Sequence, residues 1–308
     1  MNYAPIVIFT YRRTIKELIE SLLSNCLAQK SDLIVFSDGY KNEYDRIDVL
    51  NVRKQIITIK GFSSVKIIES NFNKGLAKSV IDGVTEVINE YGKVIVLEDD
   101  LIVSKNFLEY MNKALDFYQD NENIWSISGY TPKLSCLQSY RKDLFLSYRS
   151  NSWGWATWKS RWNMIDWNIS DYTSFAQDKK AVKDFNRGGN DLSVMLRMQM
   201  LGKIDSWAIR WCYNQYRYEK LSVYPSRSKV INNGFDAKGT HNKDGQRRWE
   251  SELSSNDIHF EILKIDETIV KCFKQKYDLW LKTRLGYLLK EYGGYNIVKK
   301  IIKFLGNK

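Results

Sequence analysis

Three consecutive carboxylates, Glu98, Asp99 and Asp100, interrupt the apolar run VIVLEDDLIV at residues 94–103. Adjacent negative charges at the end of a buried strand are sustained only where water, hydrogen-bond donors or a cation offsets them. Mg²⁺ and Mn²⁺ favour carboxylate oxygen and commonly take only one or two protein ligands plus substrate phosphate. A second acidic turn, Ser37-Asp38-Gly39, closes another apolar run, DLIVFS. The chain has neither GxGxxG after a strand nor GxxxxGK[ST], so no glycine-rich turn cradles phosphates, and a diphosphate bound here would need a metal. The plain alternative for each acidic group is a solvated turn or a helix cap.

The elements that must position these groups repeat about every 30 residues. PIVIFT, DLIVFS, VKIIES and KVIVLE read as strands with helical sequence between them, the pattern of βαβ units around a parallel sheet. Ile15, Leu18, Ile19, Leu22, Leu23 and Cys26 recur at helical spacing after the first strand, as do Leu76, Val80, Val84 and Val87 before the fourth. Ligands of open parallel sheets bind at the carboxyl ends of strands, so both acidic clusters should face one crevice. After Asp100, Ser104 is the expected cap of a helix beginning near Lys105.

Near residue 125 the alternation gives way to aromatic, irregular sequence, and after about residue 250 to amphipathic, Lys-rich sequence read as helical. The expected division is 1–125, nucleotide-binding; 126–249, acceptor-binding and catalytic; 250–308, a basic helical tail. Forty-two aromatic residues among 308 exclude a disordered chain, and three Pro with no Gly/Ser tract leave no evident linker. No apolar stretch approaches the roughly 20 residues of a membrane span, and no signal segment opens the chain, so a cytoplasmic location is expected. Cys26, Cys136, Cys212 and Cys272 form no close metal or redox pair and read as reduced packing residues. Of the net charge of +11, a surplus of seven falls in Lys264–Lys308, with eleven Lys/Arg against four Asp/Glu.

The ordered set IVIFTYRR, SDG at 37–39, NKGLAKSV at 73–80 and VLEDDL at 96–101 resembles nucleotide-sugar-dependent glycosyltransferases of the GT-A fold. The nearest branch is that of Golgi N-acetylglucosaminyltransferase and bacterial surface-polysaccharide transferases. The likeness runs from residue 4 to about residue 245. It implies a mostly parallel, Rossmann-type α/β sheet with an acceptor-side lobe, a UDP-sugar or similar donor, Mn²⁺ or Mg²⁺, and transfer with inversion at the anomeric carbon. Position by position it places Thr10 and Arg12 at the donor-binding end of the first strand, Asp38 on the nucleoside and Lys74 in an Asn-Lys-Gly turn. Asp100 matches the direct metal ligand, and Glu98 and Asp99 match neighbours on the ribose or metal-bound water.

In SNSWGWATWKSRW at 150–162, aromatic faces suited to sugar C–H faces are concentrated, and Trp153 and Trp155 are assigned to the site. At least two of the segment's four Trp are expected in the core. Inverting transfer needs a general base. The relatives carry an Asp beside a Trp at a helix start, but here IDSWAIRW has Ala208 after Trp207, which leaves the base open. Asp191, after the glycine pair of the Asn186–Gly189 segment read as a mobile loop, and Asp205 are the candidates, and each could be an N-cap. His241, ending NNGFDAKGTH, matches a turn that closes over the donor, as a metal ligand or a partner of the diphosphate.

Three functions compete: a glycosyltransferase, a nucleotidyltransferase using the same nucleotide and metal, and a nucleic-acid binder. The last would spread basic residues over a groove, whereas here they gather in the tail. In the tail, Ile297, Val298, Ile301, Ile302, Phe304 and Leu305 share one helical side and Lys299, Lys300 and Lys303 the other. This pattern suits the inner membrane surface and a lipid-linked glycan acceptor. The stripe upstream, Val270, Phe273, Tyr277, Leu281, Leu285, Leu288 and Tyr292, is allotted to packing on the enzyme's own lobe or in a homodimer.

Overall fold

The computed structural model describes residues 3–234, 249 and 251–279. Its four N-terminal strands are those the sequence predicts: β1 (Ile6–Thr10), β2 (Asp32–Ser37), β3 (Ser64–Glu69) and β4 (Lys93–Glu98), parallel in the order β3-β2-β1-β4. They are joined by α1 (Lys16–Leu23), α2 (Glu43–Ile56) and α3 (Leu76–Tyr91). β1 and the middle of β4 are buried on both faces, which is why they read as continuous rather than alternating apolar runs. Ile6 and Ile8 pack into one apolar layer, whereas Val7 and Phe9 join α3 on the opposite face.

After β4 the chain forms β5 (Leu101–Val103), α4 (Phe107–Tyr118), β6 (Ile124–Ser128), β7 (Leu144–Ser147) and β8 (Trp155–Trp158). Five short helices follow: α5 (Lys159–Trp162), α6 (Tyr172–Gln177), α7 (Lys179–Phe185), α8 (Asp191–Met200) and α9 (Trp207–Arg217). Then come β9 (Leu221–Pro225) and β10 (Val230–Asn232). β8 pairs antiparallel with β4, and the sheet runs on through β6 and β9 to β7, giving eight strands. β5 stands apart, paired antiparallel with β10.

Some details depart from the sequence reading. β5 prolongs the chain after Asp100 as strand, so α4 starts at Phe107; the Ser104 carbonyl accepts the Phe107 N–H, and its hydroxyl bonds Asn106 rather than capping the helix. Leu23, Cys26 and Leu76, expected against the sheet, are exposed at element ends. Residues 251–266 carry no helix. They cross the end of the core as a strap, with Ile258, Phe260, Leu263 and Ile265 packed against it. The buried Lys229 ammonium holds the strap by donating to Asn106 Oδ1 and to the Ser254 and Asn256 carbonyls. The helix begins only at α10 (Glu267–Tyr277), whose Ile269, Phe273 and Tyr277 pack on Leu134, Phe145 and Tyr224. The Val270–Phe273–Tyr277 part of the apolar stripe therefore does pack on the chain's own fold; Leu281 to Leu305 lie outside the described residues.

Candidate active site

The carboxyl ends of β1, β2 and β4 open into a cleft of about 650 Å³. Thr10, Arg12, Asp38, Glu98, Asp99, Asp100 and Trp153, all singled out in the sequence, line it. Lys74 does not: its ammonium leans toward Asp82 on α3 at 3.8 Å, and only its backbone serves the site.

That backbone role belongs to Asp38. Its Oδ1 accepts the N–H groups of Gly39 (2.9 Å) and Lys74 (2.8 Å), and its Oδ2 accepts Gly75 N–H (2.9 Å) and Asn73 Nδ2 (3.0 Å). With four donors on two oxygens, Asp38 ties the β2 turn to the Asn-Lys-Gly turn, a structural role that its expected place on the nucleoside did not include. Gly39 is required at this crossing because a Cβ there would overlap the Phe72 backbone. Arg12 projects to the rim and pairs with Asp45 Oδ1 at 2.8 Å, while the Tyr11 hydroxyl donates to Asp45 Oδ2 at 2.8 Å.

The acidic triplet is the electrostatic centre. Burial first, then the charges of Asp100 and Asp99, pushes Glu98 up to about 8. Burial, then Asp100, pushes Asp99 up to about 7, against the pull of the Tyr11 N–H, Arg13 and Thr10. Asp100 Oδ2 accepts from Arg13 at 3.2 Å, but Asp100 Oδ1 is buried with no hydrogen-bond partner among the described residues. The β5–β10 pairing brings Gly234 so close over Asp100 that a side chain there would collide with the carboxylate. An orphaned oxygen beside two carboxylates is a donor set that suits a hard divalent cation. Among the described residues no three His, Cys, Asp or Glu side chains converge into a ready-made metal cage. Such a cation would therefore draw its remaining ligands from phosphate and water. His241 lies outside the described residues.

Three further expectations are corrected. Trp155 is fully buried, stacked on Trp162 at 5.8 Å and packed with Trp207 and Trp211 between the sheet and α9, so Trp153 alone of the pair reaches the cleft. Asp191 has both oxygens engaged by Arg149, at 2.7 and 2.8 Å, with the Tyr277 ring 4.0 Å from the guanidinium, and it lines neither the cleft nor the smaller cavity next to it. Asp205 is two-thirds exposed, bonds Arg210 at 3.0 Å and borders neither the cleft nor the cavity beside it. The segment expected as a mobile loop is instead a 3₁₀ turn at Asn186–Gly188, with Gly188 and Gly189 buried against Arg149 and Tyr277.

The sequence reading did not select Arg13, Asp45, Tyr11 or Asn73. The TYRR run and the SNFNKG turn carry the only local cues, but which arginine turns inward depends on β10, more than 200 residues away.

The family model for glycosyl transferase family 2 matches residues 6–177, more than half of the chain. This chain is a family 2 glycosyltransferase. The GT-A expectation is met, and the nucleotidyltransferase and nucleic-acid-binding alternatives fall away. Among solved structures, the glycosyltransferase is similar to HddC from Yersinia pseudotuberculosis, at 16% identity over 57% of this chain and 84% of that one, with a TM-score of 0.33. It is also similar to the galactosyltransferase LgtC in complex with donor and acceptor sugar analogs, at 13% identity over 68% and 69% of the two chains, with a TM-score of 0.35. Both likenesses are remote. No curated protein matches the glycosyltransferase significantly.

Proposed function

We propose that this glycosyltransferase moves a sugar, with inversion, from a UDP-linked donor to a hydroxyl of a glycan acceptor, with Mn²⁺ or Mg²⁺ held at Asp100. The observation that carries the reading is the buried Asp100 Oδ1, without a hydrogen-bond partner among the described residues, in a cleft lined also by Arg12, Arg13 and the two tied turns. The cation, when bound, would supply charge stabilisation to the departing diphosphate. Arg13, already 3.2 Å from Asp100, is within reach of the same group. Trp153 would present an aromatic face to the sugar, and Glu98 and Asp99 would orient ribose or metal-bound water.

A role in bacterial surface-polysaccharide synthesis and a lipid-linked acceptor are part of this proposal and rest on the sequence pattern alone. The amphipathic stretch around Ile297–Leu305 lies outside the described residues, and no helix among the described residues is long and apolar enough to cross a membrane.

Calorimetric titration with UDP and Mn²⁺ tests the metal assignment. Asp100→Ala should nearly abolish metal-dependent UDP binding, and Asp100→Asn should keep the shape while losing much of the affinity. Parent-like binding by both variants would remove Asp100 from the metal site.

A further inference from the structure

Trp153 is shared between the nucleotide cleft and a second, smaller cavity of about 190 Å³. We propose that this cavity is the acceptor subsite and that it selects a single uncharged pyranose ring, discriminating against sugar acids. The inference rests on the transferase reading above and names its acceptor class.

Size is the first argument, because a cavity of about 190 Å³ is on the scale of one sugar ring and is much smaller than the cleft beside it. Its walls are the second. Trp153 meets Tyr130 edge-on at 4.5 Å and 71°, and the Trp249 ring lies 5.0 Å from that of Tyr277, so flat aromatic surfaces border an apolar floor of Leu192, Met195 and Ala208. Such surfaces suit the C–H face of a ring, while Asn151 and Ser152 at the margin can bond its hydroxyls.

Charge is the third. Arg149 is the one ionic side chain lining the cavity among the described residues, and it is already spent. Burial disfavours its charge, but the bidentate Asp191 carboxylate keeps it protonated, and the Tyr277 ring lies over it. A ligand carboxylate would have to displace Asp191 or be buried without a counter-charge, and either is costly. A neutral ring meets no such barrier. Ala208 contributes only a methyl group to the floor, and no carboxylate lines the cavity among the described residues.

Saturation-transfer NMR on the full chain, with UDP and Mn²⁺ present, compares methyl glycosides of neutral hexoses with the matching hexuronic acids. Neutral glycosides should bind alongside UDP, and the uronates should be weaker by roughly tenfold or more. Ala208→Trp and Met195→Trp, which fill the cavity from two sides, should abolish glycoside binding while UDP–Mn²⁺ affinity stays within about twofold, a readout that also reports folding. Displacement of the glycoside by UDP, equal or tighter uronate binding, or unchanged glycoside binding in both filled variants overturns the proposal. Failure of the parent protein to bind UDP at all, with glycoside binding intact, instead overturns the donor reading.

Discussion

If a divalent cation binds at Asp100 as proposed, acidification should strip it over a narrow range, because burial and mutual repulsion hold two of the three clustered carboxyls near neutrality. Glu98 is held at about 8 and Asp99 at about 7, chiefly by burial and by neighbouring negative charge. A cation that needs both ionised must expel their protons. With those values the doubly ionised fraction rises from about one in a thousand at pH 6 to about one half at pH 8. Apparent Mn²⁺ affinity should therefore climb roughly 500-fold over the two pH units, or about 3.7 kcal/mol. The sign for stability is opposite in the metal-free protein: folded-state values above the ordinary carboxylate range mean that this contribution is present at low pH and lost as pH rises through 7 and 8. Added Mn²⁺ should consequently raise the melting temperature more at pH 8 than at pH 6. Calorimetry in buffers of different ionisation heat counts the protons released. A tenfold rise would show Glu98 remaining protonated in the bound state, and an affinity that stays flat across the range would refute the argument.

The Arg149–Asp191 pair should matter for stability more than for chemistry: Asp191→Ala strands a buried guanidinium and should cost about 3–5 kcal/mol in urea unfolding, with Arg149→Met/Asp191→Ala recovering most of it. A loss under about 1 kcal/mol for the single variant would contradict that role. Lys229 is held at about 8 by burial, below its ordinary value, so the unfolded chain binds the extra proton between pH 8 and 10.5 and stability from this group rises with pH across that window. Melting curves should show the rise in the parent and not in Lys229→Met; parallel curves would exclude it. Deleting residues 295–308 should release the protein from anionic vesicles while preserving transfer to a soluble acceptor, and unchanged co-sedimentation would rule the tail out as an anchor.

Much of the donor half was legible because strands buried on both faces leave unbroken apolar runs, and a parallel sheet sends its strand ends to one edge. Glu98 to Asp100 could be placed from that rule alone. What escaped depends on partners distant in sequence. Nothing in GGNDLSV signals that Asp191 meets Arg149, 42 residues earlier. Trp153 and Trp155 differ by a glycine turn and the alternation of β8, which sends Trp155 to the tryptophan layer and Trp158 to the opposite one. Asp38 was rightly placed at the cleft, but its four donors come from loops whose crossing has no local signature.

The end of α10 is pinned to the start of α8 by a reciprocal pair of bonds: Asn190 N–H donates to Asp278 Oδ1 at 2.8 Å, and Leu279 N–H to Asn190 Oδ1 at 2.7 Å. Tyr277, one residue before that clasp, borders the cavity beside Trp153. Tyr277 is thus held from both sides, by the packing of α10 before it and by the clasp after it, and its ring cannot swing from the cavity's edge without breaking both bonds to α8. A ligand entering the cavity would therefore meet a wall already in place, and none of its binding free energy would go into fixing that ring.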